Sequence, residues 1–284
     1  MTWPTNWGAR EPRAGKHDLT IDPLLFAELF GLGLVIGYFA GLLGIGGGML
    51  MVPFLVFVLS AKGVAEAHIV KMAVATSLAT ICFTSMSSVR AHHQKGAVLW
   101  PVVWVLAPGI LIGSLAGASL AAALPAKALT VLFAVFVTFS ATQMLLNKKP
   151  KPGRGLPGAI GMFGVGNVIG LLSSLVGAGG AFVSVPFMTW CNVSIHKAVA
   201  TSAALGFPIA LAGTLGYVWA GWARPDLPPG ALGYVYVPAL VSIALGSMLT
   251  APWGARTAHQ IDIAPLKKIF ALFLYAMAAY FLLR

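Results

Sequence analysis

The chain has 284 residues, of which 58% are hydrophobic and only 9% charged, whereas soluble globular domains carry about 25% charged residues. An ordinary soluble enzyme is thereby excluded, and an all-α polytopic membrane protein is expected. The 18 Lys and Arg against 7 Asp and Glu give a formal net charge of +11, but the basic residues fall in short connectors between apolar runs, where they set membrane topology. Nucleic acid is therefore not an expected partner, and the lipid bilayer is.

Residues 1–23, which include Trp3, Trp7, Arg10, Arg13, Lys16, Asp18 and Asp22, form a polar segment without the apolar core and small-residue cleavage site of a signal peptide. The first apolar helix is expected to serve as its own insertion signal. A helix needs about 20 apolar residues to cross the hydrocarbon core, and such runs fall at 24–43, 69–89, 98–123, 129–146, 156–176, 198–220, 233–251 and 266–283. Two further apolar pieces, 49–59 and 182–190, are too short to cross. Each directly follows a glycine cluster and reads as a half-helix. Cys82 and Cys191 belong to no metal or redox spacing and are expected to be packing residues.

The short pieces open an internal repeat. Gly44, Ile45, Gly46, Gly47 and Gly48, followed by Val52-Pro53-Phe54, recur 133 residues later as Gly177, Ala178, Gly179, Gly180 and Ala181, followed by Val185-Pro186-Phe187. Ala73-Val74-Ala75-Thr76-Ser77 recurs identically as Ala198-Val199-Ala200-Thr201-Ser202. Gly113-Ser114 matches Gly246-Ser247, and Phe133-Ala134-Val135-Phe136 resembles Phe270-Ala271-Leu272-Phe273. The order of matches predicts two homologous halves, 24–147 and 156–284, joined by a basic linker, 148–155, that carries Lys148, Lys149, Lys151 and Arg154.

If each half crosses four times and its half-helix dips in and returns, 11 basic residues lie on one face and 7 on the other. That split predicts both termini and the linker in the cytoplasm. An even number of crossings would relate the halves by an axis along the membrane normal, whereas an odd number would invert them.

Bare backbone inside a bilayer is tolerated only where protein or a water-filled cavity surrounds it, and glycine permits both sharp turns and close approach of a ligand. The clusters at 44–48 and 177–181 therefore predict helices interrupted within the membrane. A half-helix starting after such a break presents free N–H groups and about half a positive charge, which attracts an anion without a charged side chain. Close helix packing on small residues is the competing explanation for intramembrane glycine. Of the acids Glu11, Asp18, Asp22, Glu28, Glu66, Asp226 and Asp262, only Glu28 falls within a predicted crossing. A cation carrier or carboxylate proton relay keeps acids at depth, so the expected cargo is anionic.

The candidate substrate-binding residues are Gly44, Gly46, Gly47, Gly48, Thr76 and Ser77 with Gly177, Gly179, Gly180, Thr201 and Ser202. The hydroxyls would lie about one turn into their helices, although Ser and Thr in membranes often bond a neighbouring helix instead. Lys71 and His196 occupy equivalent repeat positions and are candidates for guiding the anion or for proton coupling, against a snorkelling role at the interface. Asn167 is expected to bridge helices, His92 and His93 to face solvent in a loop, and Trp100, Trp104, Trp219 and Trp222 to anchor the interface.

The glycine clusters followed by Val-Pro-Phe, the paired Ala-Val-Ala-Thr-Ser segments and the basic mid-chain linker resemble the TauE/SafE family of sulfite exporters. The resemblance extends over 24–283 and departs at Ala181, where the first copy has Gly48. It implies transport of sulfite, thiosulfate, sulfoacetate or a related organosulfonate through a bacterial inner membrane, with no cofactor. The chain has no GxxxxGK[ST] phosphate loop, and outward movement of an anion from a negative interior gains about 2.3 kcal/mol per charge per 100 mV. Export without ATP is therefore physically sound. An anion channel and an uptake permease for a different small anion are the alternatives, and assembly as a homodimer is compatible with the sequence. An intramembrane enzyme lacks a HExxH motif, paired carboxylates at depth or a GxSxG-like setting.

Overall fold

The computed structural model describes residues 23–43, 47–146, 153, 155–258, 260 and 264–283. Ten helices are present among them: α1 Pro23–Leu43, α2 Gly48–Ala61, α3 Glu66–Gln94, α4 Trp100–Ala123, α5 Ala126–Leu146, α6 Ala159–Val176, α7 Ala181–Trp190, α8 Ile195–Gly221, α9 Val237–Thr257 and α10 Ala264–Leu283. Between α8 and α9 a short antiparallel hairpin pairs β1 (Ala231–Leu232) with β2 (Val235–Tyr236). Helices α1, α3, α4, α5, α6, α8 and α9 are long and apolar enough to cross a membrane. The protein is a multi-pass α-helical membrane protein. Each of the eight predicted crossings corresponds to a helix, and α2 and α7, at 14 and 10 residues, are the two short pieces.

Close backbone contact decides which helices pair. Gly33, Gly37 and Gly41 of α1 face the backbone of Ile243, Ser247 and Ala251 of α9, and Gly246 and Gly254 face back onto Phe30 and Tyr38. A Cβ added at Gly41 would overlap the Ala251 carbonyl. In α4, Gly109, Gly113 and Gly117 pack in the same manner on Phe163, Asn167 and Leu171 of α6. This is small-xxx-small packing, the main attraction between helices where lipid is as apolar as Leu. Asn167 thus meets α4 through its backbone.

The same contacts give directions. The facing residues rise together, so α1 runs parallel to α9 and α4 parallel to α6. Helices α3 and α8 are antiparallel, since Gly206 faces Ser85 while Gly213 faces Leu78. Helices α5 and α10 are antiparallel as well, with Phe133 on Phe281 and the Thr142 hydroxyl 2.6 Å from that of Tyr275. Two ends of the bundle follow. The hairpin end holds the β-hairpin and the starts of α1, α3 and α5. The linker end holds the starts of α4, α6 and α8, and there the Gly153 amide donates to the Trp190 carbonyl at the end of α7.

These directions correct the expected topology. Gly47, in a left-handed conformation, sits against Ile36 and Ala40 of α1, so α2 begins at mid-depth and runs back to the end from which α1 entered. Helices α6 and α7 do the same from the linker end. Each half-helix therefore reverses the crossing before it instead of dipping and returning from the far face. Residues α1–α5 make a net odd number of passages, and the start of α1 lies at the opposite end from the helix ends that flank the linker. A split of 11 to 7 basic residues was too even to reveal this.

Candidate functional site at the glycine breaks

Two left-handed glycines create the site. Gly47 (φ 75°) and Gly180 (φ 80°) are the N-caps of α2 and α7, and this region is costly for any residue with a Cβ. Each turn exposes one carbonyl that accepts two amides. Leu50 and Met51 donate to Gly47 at 3.1 Å, and Val183 and Ser184 donate to Gly180 at 3.1 and 2.9 Å. The amides that precede these have no acceptor inside their own helices. Both helix starts are buried, with Met49 at 0% exposure and Ala181 at 3%.

The two breaks touch. Gly48 lies directly on the Gly177 carbonyl, where any Cβ would overlap it. Ser77 of α3 donates to that same carbonyl at 2.9 Å. Gly177 also packs on Val52 and Val74. The departure of the second copy at Ala181 is therefore placed where the first copy has no room for a side chain. Gly44 and Gly46 lie outside the described residues.

The predicted hydroxyls are all fully buried, and their partners are specific. The amide of Tyr236, the N-cap of α9, donates to Thr76 Oγ1 at 2.9 Å. The amide of Leu99, the N-cap of α4, donates to Thr201 Oγ1 at 3.0 Å. Each Thr thus secures the start of a helix from the other part of the chain. Ser184 Oγ donates to Ser202 Oγ at 2.8 Å, which ties α7 to α8.

Beside the breaks is a small cavity lined by Ala40 of α1, Thr84, Ser85 and Ser88 of α3, Gly179, and Ala203 and Gly206 of α8. Its accessible space is about 10 Å³, room for a single water. Among the described residues no charged side chain lines it. Thr84 Oγ1 donates to the Thr80 carbonyl at 3.1 Å and lies 2.7 Å from Ser247 Oγ, and Ser85 Oγ donates to the Cys82 carbonyl at 3.2 Å. Ser88 Oγ is buried with no hydrogen-bond partner among the described residues.

Thr84, Ser85 and Ser88 were missed by the sequence reading. Their signal was nevertheless present, since Thr76, Thr80, Thr84 and Ser88 follow at intervals of four along α3 and therefore share one helix face. His92 continues that stripe and is 1% exposed, so the expectation that it faces solvent from a loop is wrong. The helix extends through Gln94 and takes His92 inward with it. His93 is exposed, and its Nδ1 accepts from the Trp100 indole at 3.1 Å. Trp104, Trp219 and Trp222 are highly exposed, as interface anchors would be.

Lys71 and His196 are not brought together. Lys71 lies six residues before Ser77, about 9 Å along the helix, toward the hairpin end. Its Nζ donates to the Ala122 carbonyl at 2.6 Å, at the C-terminal end of α4, and stands 5.9 Å from the Tyr234 ring centre. His196 is exposed near the start of α8, at the linker end. Close to Lys71 in sequence, His68 Nε2 is 2.6 Å from Asp226 Oδ2. That hydrogen bond, with a backbone hydrogen bond second, holds the exposed Asp226 carboxyl below its ordinary range. Among the described residues no cluster of three or more His, Cys, Asp or Glu is arranged to hold a metal.

The family described as sulfite exporter TauE/SafE matches residues 29–281. The chain belongs to the TauE/SafE family. It is 35% identical to a probable membrane transporter protein of Haemophilus influenzae over 87% of this chain and 94% of that one. It is 28% identical to the probable membrane transporter protein YdhB of Bacillus subtilis, over 88% and 95% of the two chains. A third relative, the probable membrane transporter protein MJ0441 of Methanocaldococcus jannaschii, is 25% identical over 92% and 96%. No solved structure matches. As a TauE/SafE member the chain is a membrane transporter of the permease and exporter type.

Proposed function

We propose that the protein is a secondary transporter that exports sulfite or a related sulfur-containing anion or organosulfonate. The anion is held between the N-termini of α2 and α7. The observation that carries this reading is the contact of Gly48 with the Gly177 carbonyl beside a cavity whose polar side chains, among the described residues, are hydroxyls. Two helix starts supply amide donors and partial positive charge, and a core without acids presents nothing that repels an anion. Backbone at Gly47, Gly179 and Gly180 approaches the cargo. Ser77, Thr76, Thr201 and Ser202 hold the helices that frame it.

Residues 24–147 and 156–284 act as two homologous, inverted halves, each contributing one re-entrant pair. Inverted repeats with broken helices at their interface are a recurrent plan for alternating access. The cavity at about 10 Å³ is far too small for an anion of four or more heavy atoms, so transport requires α1 and α8 to part around it. The linker end faces the cytoplasm. The connector between α5 and α6 at that end carries Lys148, Lys149, Lys151 and Arg154 in sequence, and short basic connectors stay inside. Export then follows the membrane potential at about 2.3 kcal/mol per charge per 100 mV.

The test is a thermal-shift panel on purified protein with sulfite, thiosulfate, sulfoacetate, taurine, sulfate and chloride. A cargo that binds the folded state must stabilise it, by about 2.7 kcal/mol at 100 times Kd. Stabilisation by the sulfur anions and not by chloride is expected. Stabilisation by chloride alone would replace this reading with a different small anion.

A further inference from the structure

The two central helices are unequal in a way that their repeated Ala-Val-Ala-Thr-Ser segments conceal. Beyond that segment, α3 carries Thr80, Thr84, Ser85 and Ser88, all at most 3% exposed. At the matching positions α8 carries Leu205, Ile209, Ala210 and Gly213. Because α3 and α8 are antiparallel, the hydroxyl half of α3 runs toward the linker end and the apolar half of α8 runs toward the hairpin end. The cavity is displaced the same way. It is lined by the second half of α3, the first half of α8 and Ala40 near the end of α1, all of which lie on the linker side of mid-depth.

On the hairpin side of the cavity, Leu78 fills the space between α3 and α8, and Ile81 and Ile209 pack at the two glycine breaks, each 0% exposed. Leu78 packs against Gly213, Ile81 against Gly48, and Ile209 against Gly180. Of the hydroxyls there, Ser77 is committed to the Gly177 carbonyl and Thr76 to the Tyr236 amide, and those of Thr214 and Tyr236, buried without a hydrogen-bond partner among the described residues, do not line the cavity. Ser88, six residues from the end of α3, does line it, with its hydroxyl buried and unpartnered. A buried polar group without a partner costs about 1–3 kcal/mol, and a place in a cavity that takes up a polar ligand gives that cost a reason.

We infer that the site is entered from the linker end, along the Thr84 and Ser88 face of α3, with Ser88 as the hydroxyl donor that meets the anion first and Leu78, Ile81 and Ile209 as the seal on the hairpin side. The inference rests on the transporter reading and adds to it a route and a specificity-determining residue. An acceptor-only anion such as a sulfonate gains a donor from Ser88, and the seal offers it none. Outward release then requires the seal to open, so the apolar plug and not the glycine turn is the moving barrier.

The experiment uses the full chain in proteoliposomes, with Cys82 and Cys191 replaced by Ala and single cysteines introduced. Ala61→Cys reports the hairpin face and Gly155→Cys the linker face. Ser88→Cys is the probe, and Leu78→Cys and Ile209→Cys test the seal. A membrane-impermeant, negatively charged thiosulfonate is added to one face at a time. Ser88→Cys is expected to react an order of magnitude faster from the linker face, while the two seal positions react from neither. Sulfoacetate, which does not consume the reagent, should slow modification of Ser88→Cys. Faster reaction of Ser88→Cys from the hairpin face, equal rates from both, or no reaction from either would overturn the inference. One-sided reaction without protection by sulfoacetate would leave the route standing and remove the organosulfonate reading.

Discussion

Ser77 Oγ donates to the Gly177 carbonyl at 2.9 Å across 100 residues of sequence, and in doing so joins the central helix α3 to the glycine break of the distant re-entrant pair. The same carbonyl lies against Gly48, so one peptide oxygen is the junction of both breaks. The central architecture is sensitive to anything placed at that point.

Replacing Gly48 with Val puts a side chain on the Gly177 carbonyl. The expected loss is at the upper end of single-substitution effects, about 3 kcal/mol or more, read as a large fall in the unfolding temperature in detergent. Gly155→Ala, at a position with open space around it, leaves that temperature unchanged. A Gly48→Val protein as stable as the parent would show that the two breaks do not touch.

At Gly47 and Gly180 the constraint is dihedral. Both have φ near +75 to +80°, and an Ala in the left-handed region costs about 1–2 kcal/mol. A Cβ at Gly180 would also meet Ile209 Cδ1, the flexible end of that side chain, whereas one at Gly47 would meet the branched Cγ2 of Ile36 with Ala40 behind it. Gly47→Ala is therefore expected to be the less stable of the two in parallel thermal melts.

Thr76 and Thr201 are expected to behave alike on substitution by Val, which keeps the shape and removes the acceptor. Each would strand an N-cap amide, buried at Tyr236 and half-buried at Leu99, at a cost of about 1–3 kcal/mol. Thr→Ser at either site should restore most of the stability. If Thr76→Val lowered transport but left the melting temperature intact, the hydroxyl would be a cargo ligand and not a structural acceptor.

At the hairpin end, the Asp226 carboxyl is held low chiefly by its hydrogen bond to His68. A group with a depressed pKa stabilises the fold above its unfolded pKa, and the contribution disappears as pH falls through the lowered folded value. Wild type should therefore lose stability more steeply than Asp226→Asn as pH falls below about 4, the ordinary carboxyl value. The side chain is half exposed, so raised salt should shrink the difference.

Much of the architecture was legible because it rests on length and backbone chemistry. Eight apolar runs became eight long helices, and Gly47 and Gly180 broke the chain where the clusters predicted. The direction of α2 and α7 was not legible, since an apolar decapeptide carries no sign of which way it runs and the basic residues were too evenly divided. Thr76 and Thr201 stood out by duplication, which turned out to mark reciprocal helix-start acceptors. Ser88 went unnoticed for the opposite reason. It has no counterpart in α8, and a search led by the repeat overlooks what only one copy carries. Lys71 and His196 were equivalent in sequence, but inversion of the helices puts them at opposite ends.

Export of a sulfur-containing anion through the site between the glycine breaks is decided by efflux of labelled sulfite from proteoliposomes loaded at the linker face, at an imposed membrane potential. Efflux is expected to accelerate as the linker-face compartment becomes more negative, and to fall in Ser88→Ala with no fall in its melting temperature. Efflux no faster than from protein-free vesicles, or efflux indifferent to both the potential and Ser88→Ala, would contradict it.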